Sequence, residues 1–449
     1  MSQLFQQHAL ALAARQKPDA AVQSLVQNLR EQGAQDFERA TWPSRKHEHW
    51  KYTSVQPLLK FEQAEWATGS SLSAEQLQSL AVLPDATRLV FVDGRFEPDL
   101  SDALPAGVTL FSAADAAARD LIAANLGKVL ASVDTARRNL FAALNNAWID
   151  EGLLVHVPRN TVLKKPLYIV AVNTVAAAVS NLRILVVMEQ GSSAEIVEQF
   201  VSTTTEQSFV NALTEIQLGD NAQLHHIRLN LENENISHVG GVHVNLQRDA
   251  RLKAFAMAEG AALKRVDYQL NHCGQGASLD FDGIYLARHD QQVDYHTCIE
   301  HRVPNCTSQQ VFRGIVGDKA RAVFNGRIHI FENAQKTVAE MNNRNLLTSN
   351  TAEVNTKPEL EIYADDVRCA HGATISQLDE TALYYLQSRG VSTEQARMML
   401  SFGFVNELLM SLPQESLRTA LENWLRNRFT EDRSLVSDQG SVADKKTGA

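Results

Sequence analysis

Cysteine is scarce in this chain of 449 residues, which has four: Cys273, Cys298, Cys306 and Cys369. None is in C-x-x-C spacing, and four are too few for the disulfide framework of a small secreted protein. The N-terminus also lacks the basic start and continuous apolar run of a signal peptide. We therefore expect a cytoplasmic protein whose thiols are reduced and form no disulfide.

Long apolar runs and an excess of basic charge are missing as well. The longest apolar stretch, residues 169–179, is interrupted by Asn173 and is too short to span a bilayer. The formal net charge is -10, whereas binding to phosphate backbones needs a basic surface. The sequence therefore argues against a membrane span and against nucleic acid as the main partner.

Several catalytic motifs are absent too. The sequence has neither the GxxxxGK[ST] loop of P-loop ATPases nor the GxGxxG loop of Rossmann domains. It also lacks the GxSxG turn of α/β-hydrolases and the HExxH motif of zinc proteases. These absences exclude the corresponding enzyme classes.

What is present divides the chain into four parts. Residues 1–150 form a helical and mixed region, with a predicted helix over 3–32 that ends at Gly33. Residues 151–375 consist almost entirely of short β-like runs, and residues 376–430 return to helical periods. Residues 431–449 are polar, which predicts a disordered tail.

A recurring turn indicates how the β-like runs are arranged. It centres on Gly191, Asp220, Asp249, Asp290 and Asp318, at steps of 220−191 = 29, 249−220 = 29, 290−249 = 41 and 318−290 = 28. We interpret the long interval as an insertion or an extra turn. A nearly fixed period of this size favours a coiled β-solenoid over a sandwich.

The segment 357–390 carries the first candidate site. A strand over 367–371 would place Cys369 and His371 on one face, where a thiol and an imidazole can reach the same soft or borderline metal ion. We expect Gly372 to end this strand and a helix to begin at 375. The alternative is structural, because cysteine often behaves as a small buried hydrophobe.

The segment 293–301 carries a second candidate site. Alternation places Asp294, His296, Cys298 and Glu300 on one strand face. Four potential ligands suggest a metal, but alternate residues lie about 6.6–6.8 Å apart along a straight strand, so that only neighbours could chelate together. The solvated outer face of a coil is the alternative, and both interpretations stay open.

The C-terminal helices carry more apolar residues than a small helical hairpin needs. Ser392 or Thr393 would cap a helix that extends to residue 412. Phe402, Phe404, Leu408 and Leu409 lie on it as a candidate surface for a partner protein, or as a surface that packs within the chain itself.

Two motifs resemble one known family. KPELEIYADDVRCAHGAT followed by LxxxALYYLxSRG (357–390), together with PSRKHEHWKYT (43–53), resembles the SufBD family, the scaffold proteins of SUF iron–sulfur cluster assembly. The resemblance implies a mainly β fold, with a right-handed parallel β-helix flanked by N-terminal and C-terminal helical regions. It also implies a scaffold without enzymatic activity.

The resemblance further implies partners and a site. SufB would pair with the β-helix, the SufC ATPase would bind the C-terminal helices, and the isolated chain could form a homodimer. His371 matches the family's candidate ligand for iron or a transient nascent cluster shared with SufB, and Cys369 lies beside it. A full cluster site would need thiolates from the partner. The CxxCxxxC motif of many SufB proteins is absent, which favours the other branch of the family.

One enzyme class remains as an alternative. A β-solenoid with scattered acidic residues could be a polysaccharide lyase or hydrolase, which would need paired carboxylates in a cleft. The sequence does not give the separation of any such pair.

Overall fold

Two long, mainly parallel β-sheets form the centre of this protein in the computed structural model, which describes residues 2–68, 71–131, 140–431 and 435–436. In chain order the strands are β1 (Glu65–Trp66), β2 (Thr87–Val92), β3 (Arg95–Phe96), β4 (Val108–Leu110), β5 (Leu153–Val157), β6 (Leu167–Asn173), β7 (Ala178–Met188), β8 (Ser193–Ser202), β9 (Ser208–Leu218), β10 (Gln223–Asn230), β11 (Ile236–Leu246), β12 (Arg251–Glu259), β13 (Lys264–His272), β14 (Ser278–Ala287), β15 (Gln292–His301), β16 (Thr307–Val316), β17 (Arg321–Ile330), β18 (Thr337–Leu347), β19 (Glu353–Ile362) and β20 (Val367–Ser376).

Helices flank the strands at both ends of the chain. The α-helices are α1 (Ser2–Arg15), α2 (Ala20–Arg39), α3 (Ala74–Leu80), α4 (Ala116–Asn125), α5 (Lys128–Ala131), α6 (Leu140–Trp148), α7 (Glu380–Ser388), α8 (Thr393–Leu409) and α9 (Glu415–Glu431). Short 3₁₀-helices span Glu48–Trp50, Gln56–Phe61, Pro98–Leu100 and Phe111–Ala113. No helix in the described ranges is long and apolar enough to cross a membrane.

The strands from β5 onward form a β-solenoid of about eight coils. Each coil contributes one odd-numbered strand to the first sheet, which we call sheet A, and one even-numbered strand to the second, sheet B. Partners in neighbouring coils lie between 264−238 = 26 and 353−321 = 32 residues apart. The predicted mainly β solenoid is therefore confirmed.

Alternating side chains build the solenoid interior. Inward positions in successive coils fall into register, and one such row of sheet A consists of Ile216, Val244, Leu270, Ile299 and Ile328. Each of these five side chains is buried. Because the coils pair in register, apolar residues one coil apart stack on each other and form a continuous core.

The long interval between the recurring turns is not an insertion, and that prediction was wrong. Asp249 lies at the corner where the chain passes from β11 in sheet A to β12 in sheet B. Asp290 lies at the opposite corner, between β14 in sheet B and β15 in sheet A. The 41 residues that separate them are therefore about one and a half coils of regular length.

Two predicted helix boundaries were also wrong. The helix expected over 3–32 is two helices, because the chain breaks after Arg15 and Asp19 caps α2 by accepting a hydrogen bond from the Ala21 amide. Gly33 lies inside α2, where a Cβ atom would come 2.6 Å from Cβ of Asn146. Glycine is thus needed for the close approach of α2 to α6, not for a helix end.

The last strand is longer than expected. Gly372 does not end it, because its backbone pairs with Asn342 and the ladder continues to Ser376. The following helix therefore begins at Glu380, with Asp379 as its cap, rather than at 375. The predicted cap of α8 is confirmed, since the Ser392 side chain accepts a hydrogen bond from the Gln395 amide.

Most of the predicted disordered tail, 432–434 and 437–449, lies outside the described residues. The sequence also predicts a helix over 135–148, and residues 135–139 of that helix lie outside the described residues as well. Leu435 and Val436, in contrast, are buried against the C-terminal helices and sheet B.

A network of charges lies inside the solenoid. Glu198 accepts hydrogen bonds from Nε2 of His226 at 2.8 Å, from Nη1 of Arg228 at 2.6 Å and from the hydroxyl of Thr214 at 2.8 Å. Burial alone would raise the pKa of Glu198, but Arg228 and His226 outweigh it and lower that pKa to about 2.

A second carboxylate continues this network. Glu232 accepts a hydrogen bond from Nζ of Lys264 at 2.8 Å and another from Nδ1 of His238. Nη2 of Arg228 lies 3.2 Å from Nε2 of His238 and so joins the two carboxylates. Burial raises the pKa of Glu232 but Lys264 and His238 together lower it to about 2.

Buried imidazoles add to the pH dependence of the fold. The rings of His272 and His301 are buried and stacked 4.2 Å apart, centroid to centroid. Burial removes the water that would stabilise an imidazolium, and it lowers the pKa of His272 and of His243 to about 4.

We predict that acidification destabilises the fold in two stages. From pH 6.5 towards pH 4 the unfolded chain binds protons at His243 and His272 that the folded chain does not, which costs about 1.4 kcal/mol per pH unit for each histidine. From pH 4.5 towards pH 2 the same argument applies to Glu198 and Glu232.

Urea unfolding at a series of pH values measures this loss. His272→Gln should make the pH dependence of the free energy of unfolding shallower between pH 6.5 and 4. It should leave the more acidic stage unchanged. Equal unfolding midpoints at pH 7 and pH 5 in the unsubstituted protein would contradict the prediction.

Candidate functional site

The C-terminal end of the solenoid is open. Among the described residues, β19 pairs only with β17 and β20 only with β18, so that the outer edge of each last strand has no strand beside it. Large apolar side chains are exposed at this end: Ile362 at 42%, Tyr363 at 62% and Ile375 at 47%. An unpaired strand edge with apolar side chains is a surface to which another chain can add.

Cys369 and His371 lie on this last coil. Cys369 pairs with Ala339 and His371 with Met341, and both partners face the interior. The two predicted ligands therefore share the inward face of β20, as the alternation of the strand requires. Cys369 is half-buried against the core, and burial raises the pKa of its thiol. His371 is exposed because no further coil covers it.

This chain alone does not complete a metal site at the open end. Within the described residues no group of three or more His, Cys, Asp or Glu side chains is arranged to hold a metal ion. The chemistry of the pair nevertheless fits iron, which accepts both thiolate and imidazole. Any ion held by Cys369 and His371 would need further ligands in addition to the described residues of this chain.

The outer face of β15 is not solvated. Asp294 is fully buried and accepts hydrogen bonds from Oγ1 of Thr53 and, at 3.2 Å, from Nη1 of Arg265. Nε2 of His296 lies 3.1 Å from its second oxygen. The Trp50 ring covers Arg265, whose guanidinium carbon lies 3.7 Å from the ring centroid. The alternative of a solvated outer face is therefore wrong for Asp294.

The four candidate side chains of this face have different contact partners and do not form one site. Asp294 and His296 belong to the contact with the N-terminal segment, whereas Glu300 accepts a hydrogen bond from Nη2 of Arg302 at 2.7 Å. Cys298 accepts one from Nη1 of Arg327 at 3.2 Å. Burial alone would raise the pKa of Asp294, but His296 and Arg265 outweigh it and lower that pKa. The face is therefore an ion-pair network, with a cavity of about 660 Å³ between it and the N-terminal segment.

The predicted partner surface on α8 is partly wrong. Leu408 and Leu409 are buried, because they belong to the apolar layer between the C-terminal helices and the outer face of sheet B. Phe402 is half-buried beside Phe429, with ring centroids 6.5 Å apart. Phe404 packs under Arg313, whose Nη1 donates to its carbonyl oxygen at 2.6 Å.

The exposed apolar residues of the C-terminal helices lie elsewhere. Tyr384 is 72% and Tyr385 57% exposed on α7, and Met399 is 54% exposed on α8. Sequence reasoning missed the two tyrosines as partner-binding candidates, although the adjacent pair in the ALYYL run was a usable signal.

The chain matches two family models over nearly its whole length. The model described as "SUF system FeS cluster assembly, SufBD core domain" matches residues 170–404. The model described as "SufBD protein N-terminal region" matches residues 2–169.

Curated relatives agree with these models. The chain is 33% identical to the iron–sulfur cluster assembly protein SufD of Escherichia coli strain K12, over 86% of this chain and 89% of the relative. It is 32% identical to an iron–sulfur cluster assembly SufBD family protein of Synechocystis, over 89% of this chain and 90% of the relative. It is also 28% identical to the chloroplastic protein ABCI7 of Arabidopsis thaliana, over 89% of this chain and 86% of the relative.

The exposure of His371 predicts a small effect of its removal on stability. His371→Ala should change the free energy of unfolding by no more than about 0.5 kcal/mol, as for other surface substitutions. Met341→Ala, at the position paired with it one coil earlier, should cost about 2–5 kcal/mol because it leaves a cavity in the core. Urea unfolding measures the free energy of unfolding of both variants. Equal losses of stability in the two would contradict this account of the open end.

Proposed function

This chain belongs to the SufBD family, and we propose that it serves iron–sulfur cluster assembly as a scaffold subunit without enzymatic activity of its own. In this proposal it pairs with SufB, binds the SufC ATPase and contributes ligands to iron or to a nascent cluster. The observation that carries the proposal is the open C-terminal end of the solenoid, where an unpaired edge and the candidate ligands coincide. The polysaccharide-active alternative is not carried forward, because the relatives are named as assembly proteins.

The edge of the last coil supports pairing with SufB. The backbone groups of β19 and β20 that point away from the solenoid have no strand partner among the described residues and are available to another chain or to water. Addition of strands from a second solenoid would satisfy them and would bury Ile362, Tyr363 and Ile375 at the same time. A second copy of this chain could occupy the same edge when SufB is absent.

The position of His371 supports a shared iron site at that junction. Its imidazole is exposed on the inward face of the final strand, and any chain that extends the solenoid would lie directly beside it. Cys369 is two residues away on the same face but is half-buried, so that it is the weaker candidate. The iron or cluster is the cargo of the scaffold, and the partner supplies the remaining ligands.

The exposed face of α7 and α8 supports docking of SufC. Tyr384, Tyr385 and Met399 are large, apolar and exposed, and we add them to Phe402 and Phe404, the two members of the original four-residue candidate set that are not buried. Aromatic and methionine side chains of this kind are enriched in the centres of protein interfaces. The buried Leu408 and Leu409 are left out of the docking surface.

We predict that His371→Ala lowers the iron and sulfide content of the complex without preventing its assembly. The substitution removes a metal bond but no core side chain, so that SufB and SufC should co-purify in normal proportion. The measurement is iron, acid-labile sulfide and subunit stoichiometry on one preparation. His289→Ala is the matched control, since it removes a partly exposed imidazole at a solenoid corner. Normal iron and sulfide in a fully assembled His371→Ala complex would remove the ligand assignment.

We also predict that charge on α7 abolishes binding of SufC. The double substitution Tyr384→Glu and Tyr385→Glu would place two carboxylates at the centre of the docking surface, where they would have to be desolvated. Gel filtration with SufC should then show two separate peaks, whereas SufB should still co-elute. Val162→Glu, at a 62% exposed position, is the control. A stable complex between SufC and the double variant would contradict the docking surface.

A further inference from the structure

One of the four thiols of this chain, that of Cys298, lies at a cavity. Burial raises the pKa of the thiols of Cys273, Cys306 and Cys369. Cys298 is half-buried, as Cys273 and Cys369 are, but of the four thiols it alone lines the cavity between the N-terminal segment and the outer face of sheet A. Its sulfur accepts a hydrogen bond from Nη1 of Arg327 at 3.2 Å. A guanidinium at this distance favours the thiolate, the nucleophilic form of cysteine.

The structure holds this arginine in place. Nε of Arg327 donates to Glu361 at 2.7 Å and its Nη2 donates to the second oxygen of the same carboxylate. The side chain is only 6% exposed. A bidentate pair fixes the plane of the guanidinium, so that its remaining nitrogen points at Cys298 in a defined geometry.

A second, independent observation points to a ligand in the same cavity. The side chain of His243 lines the cavity, the residue is only 4% exposed, and its Nδ1 atom has no hydrogen-bond partner among the described residues. His243, Gln269 and Cys298 occupy one row across β11, β13 and β15. Two strand spacings separate the backbones of His243 and Cys298 by about 10 Å. A buried polar atom without a partner needs an explanation, and a small polar guest between the two side chains would provide one.

We propose that Cys298 is a modification site at which the thiolate reacts with a small hydroperoxide, with His243 as the positioning group for the bound peroxide. A fixed cation lies beside the sulfur, and a buried imidazole nitrogen without a partner among the described residues lines the same cavity. These features suit an electrophile that can form a hydrogen bond with the imidazole and that develops negative charge as it reacts. Neither the scaffold role nor the open end of the solenoid uses this site.

The reaction balances without a further cofactor. The thiolate sulfur attacks one peroxide oxygen, so that an S–O bond forms while the O–O bond breaks. The departing hydroxide, or the alkoxide of an organic hydroperoxide, takes a proton from solvent and leaves as water or as an alcohol. Sulfur is oxidised to sulfenic acid and the peroxide is reduced. Arg327 stabilises the thiolate before attack, and neutral His243 forms a hydrogen bond with the peroxide.

The test uses the full chain, hydrogen peroxide below one equivalent and a trapping reagent for sulfenic acid. Mass spectrometry of the digested protein then gives the extent of labelling at each of the four cysteines. Cys298 should be labelled first, at least about tenfold faster than the other three. Labelling of Cys273, Cys306 or Cys369 at the same rate would overturn the proposal, and this comparison requires no variant.

Two variants separate the roles of the neighbouring side chains. Arg327→Gln should slow the reaction of Cys298 with both peroxide and iodoacetamide, whereas Arg321→Gln, at an exposed position of the same strand, should not. His243→Phe should slow the reaction with peroxide only, because iodoacetamide needs no hydrogen bond from that side. An unchanged peroxide rate in folded Arg327→Gln would overturn the proposal, and an unchanged rate in folded His243→Phe would overturn the role of His243.

Discussion

The in-register pairing of each strand with its counterpart one coil away is the constraint on which the rest of this structure depends. Parallel strands satisfy their backbone groups only through such neighbours, and the stacked inward rows bury the apolar side chains of successive coils together. A solenoid built this way has two ends, and the strands at each end need a cap or a partner. At the N-terminal end the short antiparallel strands β3 and β4 close the sheets, whereas at the C-terminal end β19 and β20 remain open.

The flanking regions decide which surfaces remain available. The N-terminal segment covers the outer face of sheet A through the contacts of Thr53 with Asp294 and of Trp50 with Arg265. The C-terminal helices cover the outer face of sheet B through a layer that includes Leu408 and Leu409. The open end and the exposed face of α7 and α8 are therefore the surfaces that we assign to partners. The proposed scaffold role rests on these uncovered surfaces.

The solenoid was predictable because its signals are local. Alternating apolar residues and turns at nearly constant intervals indicate coiled strands, and the long interval was misread only because a coil has two similar corners. The placement of Cys369 and His371 on one face of a strand was equally local and was recovered correctly. The end of that strand was not, since Gly372 stays in the ladder through its pairing with Asn342 in the previous coil.

The character of each outer face could not be predicted, because it depends on contacts between residues far apart in the sequence. In the sequence pattern Asp294 looks like a solvated residue, but in the structure Thr53, 241 positions earlier, packs against it. In the sequence pattern Leu409 looks like a docking residue, but in the structure it is buried where the helix packs on sheet B. The same reasoning explains Gly33, whose role appears only when α6 lies against α2. Alternation along a strand identifies which residues share a face but not what covers that face.

Hydrogen exchange of the backbone amides in β19 and β20 tests the central claim most directly. In the free chain the outward-pointing amides of these strands should exchange faster than those of the inner coils, since no strand covers them. Addition of SufB should protect them, while β2 and β3 at the opposite end should keep their rates. Protection confined to the N-terminal end, or a stable complex that leaves β19 and β20 exchanging as in the free chain, would contradict the assignment of the open end as the site of assembly.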